Sequence, residues 1–155
     1  MINFELITPD RVVSRQEIDR ITLPTAAGEI TILPGHEPLV AVLVAGIARL
    51  HHGDTQDEVA VSGGFIEVKK GDAVRVLADT AERGHELGLS VIEQAKVRAE
   101  QVMKEAARTD ESSYVAAVAV MERELARYKV ARKYHAARGV PTLDKAVLPE
   151  DENPV

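Results

Sequence analysis

Apolar and polar residues alternate in short runs through the first half of the chain: Ile2, Phe4, Leu6; Ile21, Leu23; Ile30, Ile32; Val59, Val61; Ile66, Val68; and Val74, Val76. A period of two marks strands with one buried face, so these runs predict antiparallel strands. The separators Pro24, Gly28, Pro34-Gly35, Gly53-Asp54, Gly63-Gly64 and Gly71-Asp72 recur at the cadence of a sandwich or barrel. No helical pattern alternates with the strands, which argues against a parallel nucleotide-binding sheet.

The period changes at Gly84. Over residues 86–108, Ile92, Ala95, Ala99, Val102 and Ala106 recur at spacings of three and four, one face of a helix. Over residues 113–138 a second stripe runs Tyr114, Val118, Met121, Leu125, Tyr128 and Ala131, and Gly139 with Pro141 supplies a stop. Thr109-Asp110-Glu111-Ser112 between them is short and rich in helix N-caps. So short a link predicts antiparallel neighbours, and the alanines of the first helix let the two axes approach closely. The fold class expected is α+β: an antiparallel β-sandwich over residues 1–84, then a two-helix hairpin over residues 85–139. Residues 140–155, acidic and proline-containing, read as a disordered tail.

Composition narrows the setting. The chain of 155 residues has no cysteine, so disulfides and thiolate metal sites are excluded and an oxidising compartment is not implied. Residues 39–50 form the longest apolar run, too short to cross a bilayer and interrupted by Gly46 and Arg49. The strand-like start at residues 2–8 carries no secretory or transit pattern, so the expected setting is soluble, or peripheral to a membrane through other chains.

The net charge of −6 argues against a general nucleic-acid binder. Its distribution is uneven. Residues 1–84 carry 8 basic and 13 acidic groups, residues 85–138 carry 10 and 8, and the remainder 1 and 4. Between residues 123 and 138, Arg123, Arg127, Lys129, Arg132, Lys133 and Arg138 face a single acid, Glu124. Such a face is either a solvated surface with cations toward a helix C-terminus or a surface built for an acidic partner.

Sites for chemistry are sparse. Val61-Ser62-Gly63-Gly64-Phe65 lacks the lysine and the following helix of a phosphate-binding loop, and its glycines suit a bulge or tight turn. His51 and His52 are adjacent in a strand-like segment, so they point to opposite faces and do not chelate one ion easily. Ser62, Asp79 and His36 lack a nucleophile elbow and an oxyanion donor cluster. No catalytic residue, cofactor or metal site is expected.

Three segments together carry a family resemblance: Gly28-Glu29-Ile30-Thr31-Ile32-Leu33-Pro34-Gly35-His36-Glu37-Pro38-Leu39, then Val61-Ser62-Gly63-Gly64-Phe65-Ile66-Glu67-Val68, then Val76-Leu77-Ala78-Asp79-Thr80-Ala81-Glu82-Arg83-Gly84. In this order they resemble the epsilon subunit of F-type ATP synthases, the counterpart of the mitochondrial delta subunit. The resemblance runs from about Phe4 to Gly139. It implies a flattened sandwich and two helices, with no chemistry of its own. In that family the sandwich grips the gamma subunit, rests on the polar loops of the c-ring, and couples ring rotation to the catalytic head. Glu29, Pro34, Gly35 and His36 match positions on the ring-facing side. The hairpin is the family's regulatory element, permissive when folded on the sandwich and inhibitory when extended into the alpha and beta subunits. With that role, the one-sided charge count makes Arg123, Arg127, Arg132 and Lys133 the expected inhibitory basic helix, docking on the acidic surface of the head, and Gly88, which lowers helix propensity by about 1 kcal/mol relative to Ala, is expected to act with Gly84 as a hinge. The lack of a targeting segment favours a bacterial or plastid-encoded chain, which sets the expected location at the cytoplasmic face of the bacterial inner membrane.

Some bacterial members bind ATP through Ile/Leu-Asp-x-x-Arg-Ala at the start of the first helix. Here the segment reads Leu87-Gly88-Leu89-Ser90-Val91-Ile92, with Gly88 for the acid, Val91 for the arginine and Ile92 for the alanine. The missing charge-assisted hydrogen bonds are each worth roughly 1.5 to 3 kcal/mol, so no useful ATP binding is expected. Leu43-Val44-Ala45-Gly46 also departs from relatives that carry a polar residue and proline before this glycine. The alternative function is a free-standing adaptor that uses its hairpin to bind an acidic partner; a nucleotide sensor would need the missing motif.

Overall fold

A computed structural model of the chain describes residues 1–139, so the expectation for residues 140–155 lies outside the described residues. Eight strands come first: β1 (Ile2–Ile7), β2 (Val12–Ile18), β3 (Arg20–Thr25), β4 (Gly28–Ile32), β5 (Leu39–Leu43), β6 (Gly46–His52), β7 (Thr55–Lys69) and β8 (Ala73–Arg83). The alternating residues of the sequence pattern are buried together, with Ile2, Phe4, Leu6, Ile21, Leu23, Ile32, Val59, Val61, Ile66, Val68, Val74 and Val76 all in one core, against which Ile30 packs half-buried. Strands β2, β5 and β6 are the ones that alternation does not reveal. Strand β5 is apolar at every position, and β2 is mostly polar.

The strands lie in the order β2-β1-β8-β7-β5-β3-β4, with β6 bridging β3 and β7, and the sheet closes on its own core as a sandwich. One pairing departs from the antiparallel expectation: β1 runs parallel to β8, Asn3 beside Ala73 through Ile7 beside Leu77. The first and last strands of the sandwich meet there, and no hairpin joins them to impose an antiparallel sense.

Strand β7 changes phase at Gly63-Gly64. On its N-terminal side Val59 and Val61 enter the sandwich core, while on its C-terminal side Ile66 and Val68 do. The inward set thus passes from odd to even positions. On β8 it passes from Val74, Val76 and Ala78 to Ala81. Both glycines have positive φ, 36° and 130°, a conformation that L side chains rarely adopt, so the strand runs on through the pair as a local irregularity rather than a chain-reversing turn. Ala60 is freed by this inversion to face away from the sandwich core and joins a second apolar cluster with Leu87, Ile92, Ala126, Val130 and Ala131.

A single 3-10 turn, Gly84–Glu86, leads to α1 (Leu89–Ala106) and α2 (Glu111–Ala137). The first helix starts three residues later than its periodicity suggests, because Gly88 stands at its N-cap without a side chain to cap it. At α2 the Asp110 carboxylate accepts from the backbone N–H of Ser113 at 2.8 Å, as the N-cap-rich link predicts. The helices stack as layers, α2 on β6, β7 and β8, and α1 on α2. Their buried seams repeat every seven residues, Ile92, Ala99, Ala106 on α1 and Ala117, Glu124, Ala131 on α2. The two stripes read from sequence are corrected in part: Val102 is 48 % exposed and Tyr114 41 %. With α2 covered on two sides, its buried residues also include Ala126 and Val130, which blurs a single stripe.

Candidate interaction surfaces

The outer face of the sandwich carries two contrasting rows. Across five strands Val42 lies beside Phe65, Phe65 beside Leu77, Leu77 beside Ile7, and Ile7 beside Val12. Four of the five are exposed, Val42, Phe65, Leu77 and Val12 all near 50 % (51, 57, 47 and 50 %). At about 4.8 Å per strand the row is roughly 19 Å long. Val40, at 74 % exposure, extends it on β5.

Two residues along each strand lies a charged row, Glu67 beside Arg75, Arg75 beside Glu5, and Glu5 beside Arg15. Glu5 accepts from Arg75 Nε at 2.8 Å and from Arg15 Nε at 2.8 Å, and Lys69 Nζ stands 3.3 Å from Glu67. Beyond it the small residues Ala73 and Asn3 leave a groove of about 390 Å³. An apolar strip with a polar, self-satisfied border has the anatomy of a protein interface.

Glu29 and the Pro34-Gly35-His36 turn are held by different elements. Glu29, near the start of β4, accepts from Arg49 Nη1 of β6 at 2.8 Å, in a cleft whose other wall includes Glu122 and Lys129 of α2. The turn follows the other end of β4, about 10 Å away along a strand rising 3.3 Å per residue. There the backbone N–H of Gly35 donates to Asp72 Oδ1 at 2.5 Å, and a His36 ring nitrogen donates to the carbonyl of Glu37 at 2.8 Å. Gly35 has φ +80°, which fits glycine, and Leu33 stands 53 % exposed beside it.

Among the basic residues of α2, Arg123 and Arg127 are half-buried, whereas Lys129, Arg132, Lys133 and the C-cap Arg138 are exposed. Arg127 grips Glu82 of β8 with Nε at 2.5 Å and Nη2 at 3.1 Å, and donates from Nη1 to Glu124 at 2.8 Å. Burial disfavours its charge, but the hydrogen bonds and charges of Glu82 and Glu124 outweigh that and raise its pKa above the ordinary value. Lys133 Nζ donates to Glu58 of β7 at 2.6 Å. Arg123 pairs with Glu124, itself only 3 % exposed, at 3.0 Å. Arg132 is exposed, with its guanidinium 6.0 Å from the Tyr128 ring. The one acid in this stretch of α2 is thus its buried centre.

The two proposed hinge glycines have different surroundings. A Cβ on Gly84 would meet the Cβ of Tyr134, whereas one on Gly88 would find only Val91 Cγ2 at 3.9 Å. Next to Gly88, Val91 is 60 % exposed and Ile92 buried, and the carbonyl of Leu87 accepts from His135 Nε2 at 3.0 Å. The segment therefore presents hydrocarbon, at the exposed Val91, to solvent. Ser62, Asp79 and His36 are not assembled: the Ser62 hydroxyl pairs with Thr80 at 2.6 Å, and His36 sits in its own turn. Sequence reasoning missed the apolar outer row, whose signal is that residues 40–44 and 76–78 are apolar on both faces of their strands.

Residues 1–84 match the family model for the ATP synthase delta/epsilon chain, beta-sandwich domain. Among curated relatives, the ATP synthase epsilon chain of Moorella thermoacetica is 40 % identical over 131 residues, covering 84 % of this chain and 96 % of that protein. That of Desulforamulus reducens is 48 % identical over 97 residues, 63 % of this chain and 73 % of its own. Among solved structures, a chain of the Euglena gracilis mitochondrial ATP synthase, OSCP/F1/c-ring, superposes with a TM-score of 0.66 at 25 % identity, over 88 % of this chain and 81 % of that one. A chain of the Tetrahymena thermophila mitochondrial ATP synthase central stalk and c-ring shares the fold with a TM-score of 0.55 at 16 % identity, over 86 % and 95 %. With a sandwich that matches the family model over more than half its length and relatives aligned through the helices, the chain belongs to the epsilon chain family of ATP synthase.

Proposed function

We propose that the chain is the non-catalytic rotor subunit of a proton-translocating ATP synthase, coupling rotation of the c-ring to the catalytic head from the cytoplasmic face of the bacterial inner membrane. The observation that carries this reading is the apolar row Val42-Phe65-Leu77-Ile7-Val12, which is unsatisfied in the isolated chain. Its partner is the gamma subunit. Membrane attachment comes through the complex, and among the described residues no helix is long and apolar enough to cross a bilayer. The exposed turn Pro34-Gly35-His36 and Glu29 contact the c-ring, and Arg123, Arg127, Arg132 and Lys133 serve docking of the hairpin on the alpha and beta subunits, where it restrains ATP hydrolysis.

The test uses the full chain and the matching ATP synthase stripped of this subunit. Phe65→Glu with Leu77→Glu changes two exposed positions, so the fold is retained and circular dichroism checks it. Wild type is expected to rebind stoichiometrically and the variant to lose at least tenfold in affinity. Failure of wild type to rebind would return the chain to the adaptor reading.

A further inference from the structure

Three rows of residues cross the outer face of the adjacent strands β7, β8, β1 and β2. In that strand order the apolar row runs Phe65, Leu77, Ile7, Val12 and the charged row Glu67, Arg75, Glu5, Arg15. A third row runs Lys69, Ala73, Asn3, Glu17. Successive rows are two residues apart along each strand, so their side chains share one face. In the charged row the sign changes at every strand, and the third row has a cation at one end, an anion at the other and small residues between. Reversing the order of the four strands therefore sets a base on every acid and an acid on every base, while the apolar row still meets apolar residues.

We propose that the unassembled chain pairs with a second copy of itself through this face, about a two-fold axis that runs along the strands and passes between β1 and β8. Such an axis reverses the strand order from one copy to the other. Leu77 then packs on Ile7 of the second copy and Phe65 on its Val12, while Arg75 faces its Glu5, Glu67 its Arg15 and Lys69 its Glu17. Each contact occurs twice, as an isologous interface requires. A two-fold axis across the strands, along the charged row, would instead lay Arg15 on Arg15 and Glu5 on Glu5, like charge on like. The central contacts, Leu77 on Ile7 and Arg75 on Glu5, lie nearest the proposed axis, so the roughly 30° angle between packed sheets displaces them least. At the usual area per interface residue, three rows across four strands bury on the order of 400 Å² per copy, about half of a standard interface. The pair is therefore weak, with a dissociation constant on the order of 10 to 100 μM. This goes beyond the rotor reading and concerns the chain before assembly: one apolar row cannot cover the gamma subunit and a second copy at once, so pairing withdraws it from water until assembly.

The experiment is sedimentation equilibrium of the full chain over about 5 to 500 μM, a range that brackets this constant. Wild type is expected to pass from monomer to dimer, and Phe65→Glu with Leu77→Glu to stay monomeric throughout. Lys69→Glu alone sets acid against acid twice per dimer and should weaken association roughly three- to tenfold. Adding Glu17→Lys to the same chain restores both contacts with the signs exchanged and should recover the wild-type constant. Positions 17 and 69 are three strands, about 14 Å, apart within one chain, so the recovery reports a contact between copies. Lys69→Glu with Glu105→Lys, which restores the net charge on α1 instead, should remain as weak as Lys69→Glu. All five substituted positions are exposed, and circular dichroism checks that each variant folds. A wild type still monomeric at the highest concentration overturns the proposal, as does a dimer that survives Phe65→Glu with Leu77→Glu. An unchanged constant in Lys69→Glu, or a charge-swapped chain no tighter than its Glu105→Lys control, overturns the axis. None of these outcomes depends on rebinding to the stripped ATP synthase, so a failure of the rotor reading is seen separately.

Discussion

The Cβ that Gly84 lacks would lie 2.5 Å from the Cβ of Tyr134 and 2.8 Å from its Cγ. Gly84 is buried, and its neighbours are the backbone-proximal atoms of a helical residue rather than the end of a flexible chain. Glycine is required here by close approach between the start of the hairpin and its second helix, whatever part the residue plays as a hinge. Gly84→Ala should push α2 off the sandwich at a cost of about 1 to 3 kcal/mol. Hydrogen exchange would register it as faster exchange in β7 around Ala60 and in α2, with the core strands β1 and β3 unaffected.

Gly88 is expected to behave in the opposite way. Its backbone, φ −73° and ψ 124°, suits any residue, and it caps α1 without a side chain. Gly88→Asp adds a cap acceptor and an acid at a helix N-terminus, stabilising the first turn by a few tenths of a kcal/mol. Amide exchange at Val91 and Ile92 should slow by about twofold, and faster exchange would show that the turn is held by something other than its cap.

Gly64 carries a heavier constraint. Its φ is +130°, and a Cβ there would overlap the carbonyl oxygen of Leu77 on β8. Alanine must therefore either strain the backbone or break the β7–β8 ladder at the point where β7 inverts its faces. Gly64→Ala should cost more than about 2 kcal/mol, read as a lower urea midpoint for the whole sandwich.

These glycines also mark how far the sequence was legible. Alternation located the core of six strand segments because each has one face in the sandwich. It passed over β5, where residues on both faces are apolar since Val40 and Val42 belong to an exposed row and Leu43 to the core. The Gly63-Gly64 pair was readable as an irregularity, but the inversion of faces it permits was not, and that inversion is what turns Ala60, Glu58 and Glu82 toward α2. The charge bias of α2 was plain in the sequence. Its destination was not, because Glu58 and Glu82 are far along the chain from Lys133 and Arg127, and only the register of β7 on β8 brings the two acids together.

Acid should loosen the hairpin and its junction with the sandwich. The Asp110 carboxyl is held below its ordinary value by the backbone and side-chain hydrogen bonds of Ser113. Glu86 also lies below the ordinary range: burial pushes it upward, but hydrogen bonds from the Arg83 backbone and the Arg11 side chain outweigh that. A lowered folded-state pKa gives stability that is complete above the unfolded value and lost as pH falls through the folded one. The loss should therefore begin below about pH 4. Helicity at 222 nm should fall there, and since the side-chain hydrogen bonds of Arg15 and Arg75 likewise hold Glu5 of β1 below its ordinary value, the sandwich loses stability over the same range; Asp110→Asn, which keeps a cap acceptor without the charge, should flatten part of the helical dependence.

Glu124 tests the interior of the hairpin. It is a carboxylate with 4 % side-chain exposure, held by Arg127 at 2.8 Å and Arg123 at 3.0 Å, and Arg127 keeps 23 % exposure. Removing one partner of a buried pair strands the other charge, whereas replacing both with hydrocarbon of similar volume is close to neutral. Arg127→Met should thus destabilise the hairpin by about 1 to 3 kcal/mol, less than for a fully buried pair because Arg127 still reaches water. Glu124→Leu combined with Arg127→Met should recover most of that loss in urea unfolding followed at the helices. Glu82 would remain unpaired in the double variant, at 31 % side-chain exposure, where water can solvate it. If the double variant is no more stable than Arg127→Met alone, the contact of Arg127 with Glu82 rather than the buried Glu124 dominates the attachment.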